Sequence, residues 1–194
     1  MKPVIKWIGG KTQMLEELLP LIQNNLNSDS TFYEPFAGGL AITLALQHPN
    51  TVVNDLNTEL IHMYKVIRDN PEELIAELKC FQNSHNTEFY YHVRNLDRTD
   101  MLSRMSDVIK AARTIYLNKA CFNGLYRVNS KNEFNVPFGK KVKVNTYEGQ
   151  NLGIIHAYLN LNEIDILNTD FEEAVKDAKK GDFIYFDPPY DSET

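Results

Sequence analysis

Cysteine, tryptophan and long apolar runs are all scarce in this 194-residue chain, and each shortage removes a class of protein. The two cysteines, Cys80 and Cys121, stand far apart with no CxxC pair, so neither a disulfide framework nor a cysteine-based zinc spacing is available. Both are expected to be ordinary buried thiols, and no metal is expected. Apolar stretches such as Phe183 to Phe186 are far shorter than a membrane span, and no charged leader precedes an apolar signal segment at the N-terminus. A soluble, cytoplasmic protein with no membrane partner is the expectation. With 43% hydrophobic and 24% charged residues the chain can bury a core, which suits one domain or one domain carrying a sizeable insertion.

An excess of positive charge is missing as well, since the net charge is -6. Its distribution is uneven. Residues 94–143 hold eleven basic residues against four acidic ones, a local balance of +7 that leaves -13 for the remainder. A basic segment in an acidic scaffold suits a polyanion, because each Lys or Arg placed on a phosphate releases condensed counterions. A pair of solvated helix faces would give the same count.

Three short runs rich in β-branched and aromatic residues end at polar or Gly/Pro punctuation: Thr31 to Glu34, Thr51 to Asn54, and Asp182 to Phe186. Buried strands are predicted there, with a fourth over Glu163 to Leu167 from its alternating isoleucines. Helical patterns cover Thr12 to Gln23 and Leu40 to Gln47, and this alternation predicts a parallel, doubly wound α/β sheet. Between Asn57 and Asn160 only helical patterns occur. Asn70-Pro71-Glu72-Glu73 predicts a helix start, with Asn as cap, Pro at the first helical position and acids in the first turn. Another helix is predicted from about Met105 to Asn118, then a loop from Cys121 to Gly139. The stretch is too long for a crossover, so it predicts a helical insertion: a sheet domain of residues 1–57 and 160–194, and an inserted domain of residues 58–159.

The first strand runs into Glu34-Pro35-Phe36-Ala37-Gly38-Gly39 and then a helix, the place where an open α/β sheet binds a nucleotide-like ligand. A tight strand-helix turn without a ligand would also account for the glycines. The next strand ends in Asn54-Asp55-Leu56-Asn57, which sets a carboxylate where it can accept from both hydroxyls of a ribose, or else caps the following helix. Lys6-Trp7-Ile8-Gly9-Gly10-Lys11-Thr12 contains a GKT but is no phosphate loop, because Ile5 stands where that pattern needs glycine and no strand precedes it. Trp7 either walls a small-molecule pocket or fills the core. The sharpest signal is Phe183-Ile184-Tyr185-Phe186-Asp187-Pro188-Pro189-Tyr190, an apolar strand stopped by an acid, two prolines and an aromatic ring. The prolines fix the backbone and leave carbonyls without a local partner, so these acceptors and Asp187 can converge on one amino group while Tyr190 stacks on a planar base. Such hydrogen bonds draw the nitrogen lone pair out of conjugation and aim it at an electrophilic methyl group, by positioning and electrostatics alone.

These residues resemble the Dam-type DNA adenine-N6 methyltransferases, most closely the DpnM-like methylases, over essentially the whole chain. The resemblance implies a Rossmann-like fold, S-adenosylmethionine as methyl donor, and Asp187, Pro188, Pro189 and Tyr190 as the catalytic motif. It implies donor contacts from Trp7, Gly9, Gly10 and Lys11, from Glu34, Phe36, Gly38 and Gly39, from Asp55, and from Asp187. Asp170 and Phe171 resemble the acid and aromatic that hold the donor's adenine, with Thr169 where the family often has Gly. The inserted segment corresponds to the family's target recognition domain. There Phe122 would wedge into the base stack, Asn123 touch phosphate, Arg127 read a guanine, and Leu125 and Pro137 supply apolar contacts. The implied partner is duplex DNA at GATC, with the adenine turned out of the helix for reaction. A restriction endonuclease could share the system without direct contact.

Family members continue with further strands and helices beyond the point matching Thr194, so the expectation is a sheet incomplete at its C-terminal side, one exposed edge, and weak or absent activity. Two other readings stay open: methylation of cytosine N4 or of an RNA or protein amide, and a non-catalytic DNA- or donor-binding remnant.

Overall fold

The computed structural model describes residues 1–189. Four strands, β1 (Phe32–Glu34), β2 (Asn50–Asn54), β3 (Glu163–Leu167) and β4 (Phe183–Ile184), form one sheet in the order β3-β2-β1-β4. Every neighbouring pair is parallel, as the strand-helix alternation predicts. β3 shows why its isoleucines alternate: Ile164 and Ile166 are buried, while Glu163 and Asp165 face solvent at the sheet edge. Among the described residues β4 forms the other edge, with half-buried side chains. The successive strands step outward from β1 in one direction and β4 returns on its other side, so the strand order reverses between β1 and β4. In open α/β sheets such a reversal is where ligands bind, outside the C-terminal strand ends.

The helices are α1 (Leu15–Gln23), α2 (Ala41–Leu46), α3 (Thr58–Asp69), α4 (Pro71–Asn83), α5 (Thr87–Asn95), α6 (Met101–Arg104), α7 (Asp107–Ala120), α8 (Gly149–Leu161) and α9 (Phe171–Ala174). One apolar cluster runs from Val4 and Ile5 through Leu40 and Val53, along α3, α4 and α7, to Phe134 and Val136. The N-terminal segment, the sheet and the residues after α7 therefore share a single core. A smaller cluster of Ile22, Phe32 and Ile42 joins α1 and α2 to the sheet. No helix of the described residues is long and apolar enough to cross a membrane.

Several local expectations shift. Residues 11–14 form a 3-10 turn ahead of α1 rather than part of one helix. The helix expected from Met105 begins at Asp107 because the Ser106 hydroxyl accepts from the Ile109 N–H (3.3 Å) and caps it. Asn70 makes no side-chain cap; its N–H closes α3 on the Val66 carbonyl (2.8 Å), so a residue shared by two abutting helices has its backbone set by the first. Only Cys121 is a buried thiol. Cys80 is exposed because the inward stripe of α4 is Leu74, Leu78 and Phe81, and position 80 lies off it.

Candidate active site and DNA interface

At the C-terminal strand ends, three loops leaving the strands are tied together by side chains at the end of β2. Asn54 is buried; its amide donates to the Pro35 carbonyl (3.1 Å) and the Thr169 carbonyl (3.0 Å) and accepts from the Thr169 N–H (2.9 Å). Asp55 accepts from the Gly38 N–H (2.9 Å) and from the Asn57 N–H (2.8 Å), which fixes the turn after β1 against the start of α3. Asn57, not Asp55, caps α3, accepting from Leu60 N–H (3.0 Å). Each carboxylate oxygen of Asp55 takes one of these bonds and retains further acceptor capacity. Gly38 sits at φ +49, and a Cβ there would lie 2.8 Å from Trp7 Cδ1, so the turn needs glycine for both backbone and space. Gly39 packs under the same side chain, where a Cβ would lie 3.3 Å from Trp7 Cβ. Trp7 walls the turn and also packs against Tyr126, the rings tilted by 30° with centroids 4.9 Å apart.

The segment after Trp7 folds back in a turn closed by Gly10 N–H on the Trp7 carbonyl (3.1 Å), with Gly9 at φ +78. It carries Lys11 to the segment that follows β4, which pairs only over Phe183–Ile184 and not as far as the expected Phe186; there Nζ meets Asp187 Oδ2 at 2.5 Å and also donates to the Gly9 carbonyl (2.9 Å). Pro188 and Pro189 follow Asp187 and are exposed; Tyr190 lies outside the described residues. Phe36, Phe171 and Phe186 come together from three strand ends, with ring centroids 5.4 to 6.3 Å apart, and leave an apolar face partly open. Phe186 carries no sequence signal beyond its strand pattern. Asp170 points its carboxylate at the Glu172 N–H (2.9 Å) and caps α9.

Glu34 turns inward. Its carboxylate is 3% exposed and accepts from both the backbone N–H and the hydroxyl of Thr43 on α2. Burial, opposed by the Thr43 hydrogen bonds and reinforced by Asp187 and Asp55, pushes its carboxyl up to about 7. Tyr64 of α3, buried beside these acids, has a hydroxyl with no partner among the described residues; burial first, then Glu34 and Asp55, drive its ionisation upward.

The residues after α7 form a hairpin. Cys121 bridges Phe138 and Val128 bridges Phe134 in antiparallel fashion, and Asn129 and Asn132 shape the turn. Phe122, Asn123, Arg127 and Pro137 are exposed on it, while Leu125 is partly buried against the main core. Arg127 Nε donates to Asn135 Oδ1 (2.7 Å), which orients the guanidinium and leaves its two terminal amino groups outward. A groove of about 580 Å³ borders this face, with Pro137, Lys140 and Lys141 on its wall.

The +7 segment divides by role. Arg113 is 1% exposed and meets Asp97 at 2.5 Å; Arg98 meets the same carboxylate at 2.6 Å. Asp97 in turn accepts from the Phe134 N–H of the hairpin (2.8 Å), and Arg94 lies over the Tyr91 ring. These three arginines hold the hairpin rather than facing a polyanion. The outward cations are others, among them Arg104, Arg127, Lys131, Lys140, Lys141 and Lys143.

A parallel sheet with a ligand-shaped turn after β1 and an acid-proline-proline stop after β4 defines a Rossmann-like methyltransferase. The chain belongs to the D12 class of N6 adenine-specific DNA methyltransferases, which it matches over residues 7–194. It is 45% identical over 190 residues to the type II methyltransferase M1.LlaDCHI of Lactococcus lactis subsp. cremoris, covering 98% of this chain and 66% of that protein. It is 37% identical over 206 residues to the type II methyltransferase M.MjaIII of Methanocaldococcus jannaschii, covering 98% and 69%. With the DNA adenine methylase of Haemophilus influenzae the identity is 32% over 191 residues, covering 97% and 64%. The chain spans about two thirds of the length of these relatives. Methyltransferases of this family use S-adenosylmethionine as methyl donor.

Proposed function

We propose that this chain carries the donor site, the catalytic motif and the DNA-reading hairpin of an enzyme that transfers the methyl group of S-adenosylmethionine to N6 of adenine in duplex DNA, within GATC. The observation that carries the reading is the meeting of Asp187, three residues beyond β4, with Lys11 from the N-terminal loop. That places an acid and a Pro-Pro backbone at the strand-order reversal. The Phe36–Gly39 turn, the acceptor capacity of Asp55 and the three-phenyl face suit an adenosyl group, and Asp170 with Phe171 stands at the edge of that face. The donor, once bound, supplies an electrophilic methyl group. Asp187 and a proline carbonyl accept the N–H groups of the target amine and free its lone pair, and Tyr190 stacks on the base. Glu34 acts indirectly, by pinning α2 under the donor turn.

Residues 58–159 serve as the recognition domain and residues 1–57 with 160–194 as the catalytic one. Arg127, aimed by Asn135, reads the O6 and N7 of a guanine; Phe122 wedges into the stack, Asn123 takes a phosphate, and Leu125 and Pro137 contact bases. Adenine leaves the duplex because its amino group cannot meet the donor in line while stacked. A restriction endonuclease would recognise the same site without touching this protein.

Incubation with S-adenosylmethionine and a GATC duplex, followed by digestion to nucleosides, should yield N6-methyladenine. In Asp187→Ala the rate should fall at least about tenfold while calorimetry still detects donor binding. N4-methylcytosine as the product, or transfer unaffected by that substitution, refutes the proposal.

A further inference from the structure

We propose that Asn118 is a positioning residue that sets the spacing between the donor-side loop and the DNA-reading hairpin, so that a ligand at one favours a ligand at the other. The inference rests on the function proposed above.

Asn118 lies in the last turn of α7 and is 2% exposed. Its Oδ1 accepts from the Lys6 N–H (2.9 Å), and its Nδ2 donates both to the Lys6 carbonyl (2.8 Å) and to the Gly124 carbonyl (3.0 Å). Three of the four bonds that a primary amide can make are therefore used, across a sequence separation of 112 residues on one side and 6 on the other. Lys6 leads directly into Trp7, which lies over Gly38 of the donor turn; Gly124 leads directly into Leu125, Tyr126 and Arg127 of the hairpin. One buried amide thus holds both segments by their backbones.

The junction is tight on the donor side and conformationally fixed on the hairpin side: a Cβ on Gly38 would lie 2.8 Å from Trp7 Cδ1, and Gly124, buried at φ +68, holds a backbone conformation that L residues rarely adopt, under the Lys6 side chain. Packing of this density passes a shift of one backbone to the next rather than absorbing it. Trp7 against Tyr126 makes a parallel side-chain contact between the same segments.

A second asparagine shows what the extra bond adds. Asn151 grips Lys2 in the same two-point way, accepting from its N–H (3.1 Å) and donating to its carbonyl (2.9 Å). That grip is solvent-exposed and reaches neither the donor turn nor the hairpin. Asn118 differs by its bond to Gly124. Coupling between two sites is reciprocal, so the link should appear as one factor in both binding equilibria.

The test is calorimetric titration of the whole chain with a GATC duplex, alone and with saturating S-adenosylhomocysteine, backed by thermal melting of each variant. In the wild type the nucleoside should tighten duplex binding by about fivefold or more. Asn118→Ala should bring the factor below about twofold while each ligand alone still binds, and Asn151→Ala should keep the wild-type factor. Should Asn118→Ala fail to fold, Gly124→Ala, which strains the backbone at φ +68 and so displaces the carbonyl that Asn118 grips, carries the same expectation. An unchanged factor in a folded Asn118→Ala or Gly124→Ala overturns the inference. So does an equal loss in Asn151→Ala, or a wild-type factor near one. A wild type that binds neither ligand overturns the functional reading, and the inference falls with it.

Discussion

At the strand ends, Glu34 and Asp55 hold their loops by accepting backbone N–H groups, and among the described residues neither makes an ion pair. Behind the hairpin, Asp97 does the same for Phe134 but is wedged between Arg98 and Arg113. Glu34 and Asp97, two acids in similar positioning roles, have opposite electrostatic company. A carboxyl buried without a cation resists ionisation, and pH becomes its sensitive variable. A carboxylate buried with cations depends instead on keeping every partner. The donor half should therefore respond to protons, and the hairpin half to the loss of one side chain.

The largest effect is expected at Arg113. Removing it by Arg113→Ala leaves Asp97 buried beside only the partly exposed Arg98, and breaking a buried pair from one side costs about 3–5 kcal/mol. Chemical denaturation should register that loss. Duplex affinity should fall more than donor affinity, because Asp97 anchors the hairpin and not the donor turn. Arg113→Lys should recover only part, since a single ammonium cannot also reach the Val93 and Arg94 carbonyls as the guanidinium does. A denaturation midpoint matching that of the exposed control Arg104→Ala would show that the hairpin does not rest on this pair.

The pH arm of the comparison belongs to Glu34. Its folded carboxyl titrates near 7 against an ordinary 4.5, so the folded protein holds a proton that the unfolded chain releases. The stability contributed by that proton is fully present below about 4.5 and is lost as pH rises through about 7. Glu34→Gln, which never ionises, should gain on the wild type as pH rises from about 5 to about 8, by about 3 kcal/mol at most. Parallel stability curves for the two proteins would remove Glu34 as a pH-sensitive element.

Which of these features could be read from residues alone depends on how far apart the partners lie. Strands and their parallel order follow from local alternation and punctuation, and so does the stop at Asp187-Pro188-Pro189, because each is written in adjacent positions. The clamps are not. Asn54 reaches Thr169, 115 residues on, and Asn118 reaches Lys6, 112 residues back; an asparagine in a sequence has no mark of such a partner. Charge counting misjudged Arg94, Arg98 and Arg113 for a related reason. A summed charge cannot separate a guanidinium buried on Asp97 from one facing solvent. Tyr126 and Phe186 were hidden by looking like ordinary apolar filling, although one packs against Trp7 and the other completes the phenyl face.

The smallest effect sets the exposed arginine of the hairpin against the buried one. Arg127 is outward, and its Nε bond to Asn135 fixes the plane of the guanidinium without burying it. Arg127→Ala should leave the melting free energy within about 0.5 kcal/mol of wild type, as for other surface positions away from caps and cores. Its effect should appear only in the choice of sequence: about 1–3 kcal/mol less discrimination at one guanine of the site, measured by competition between GATC and single-base variants. Arg127→Lys should not restore the preference, because an ammonium can neither keep the Asn135 bond in that geometry nor meet two acceptors side by side. An unchanged preference would take Arg127 out of base reading. A stability loss as large as that of Arg113→Ala would dissolve the distinction between the arginine that builds the hairpin and the one that uses it.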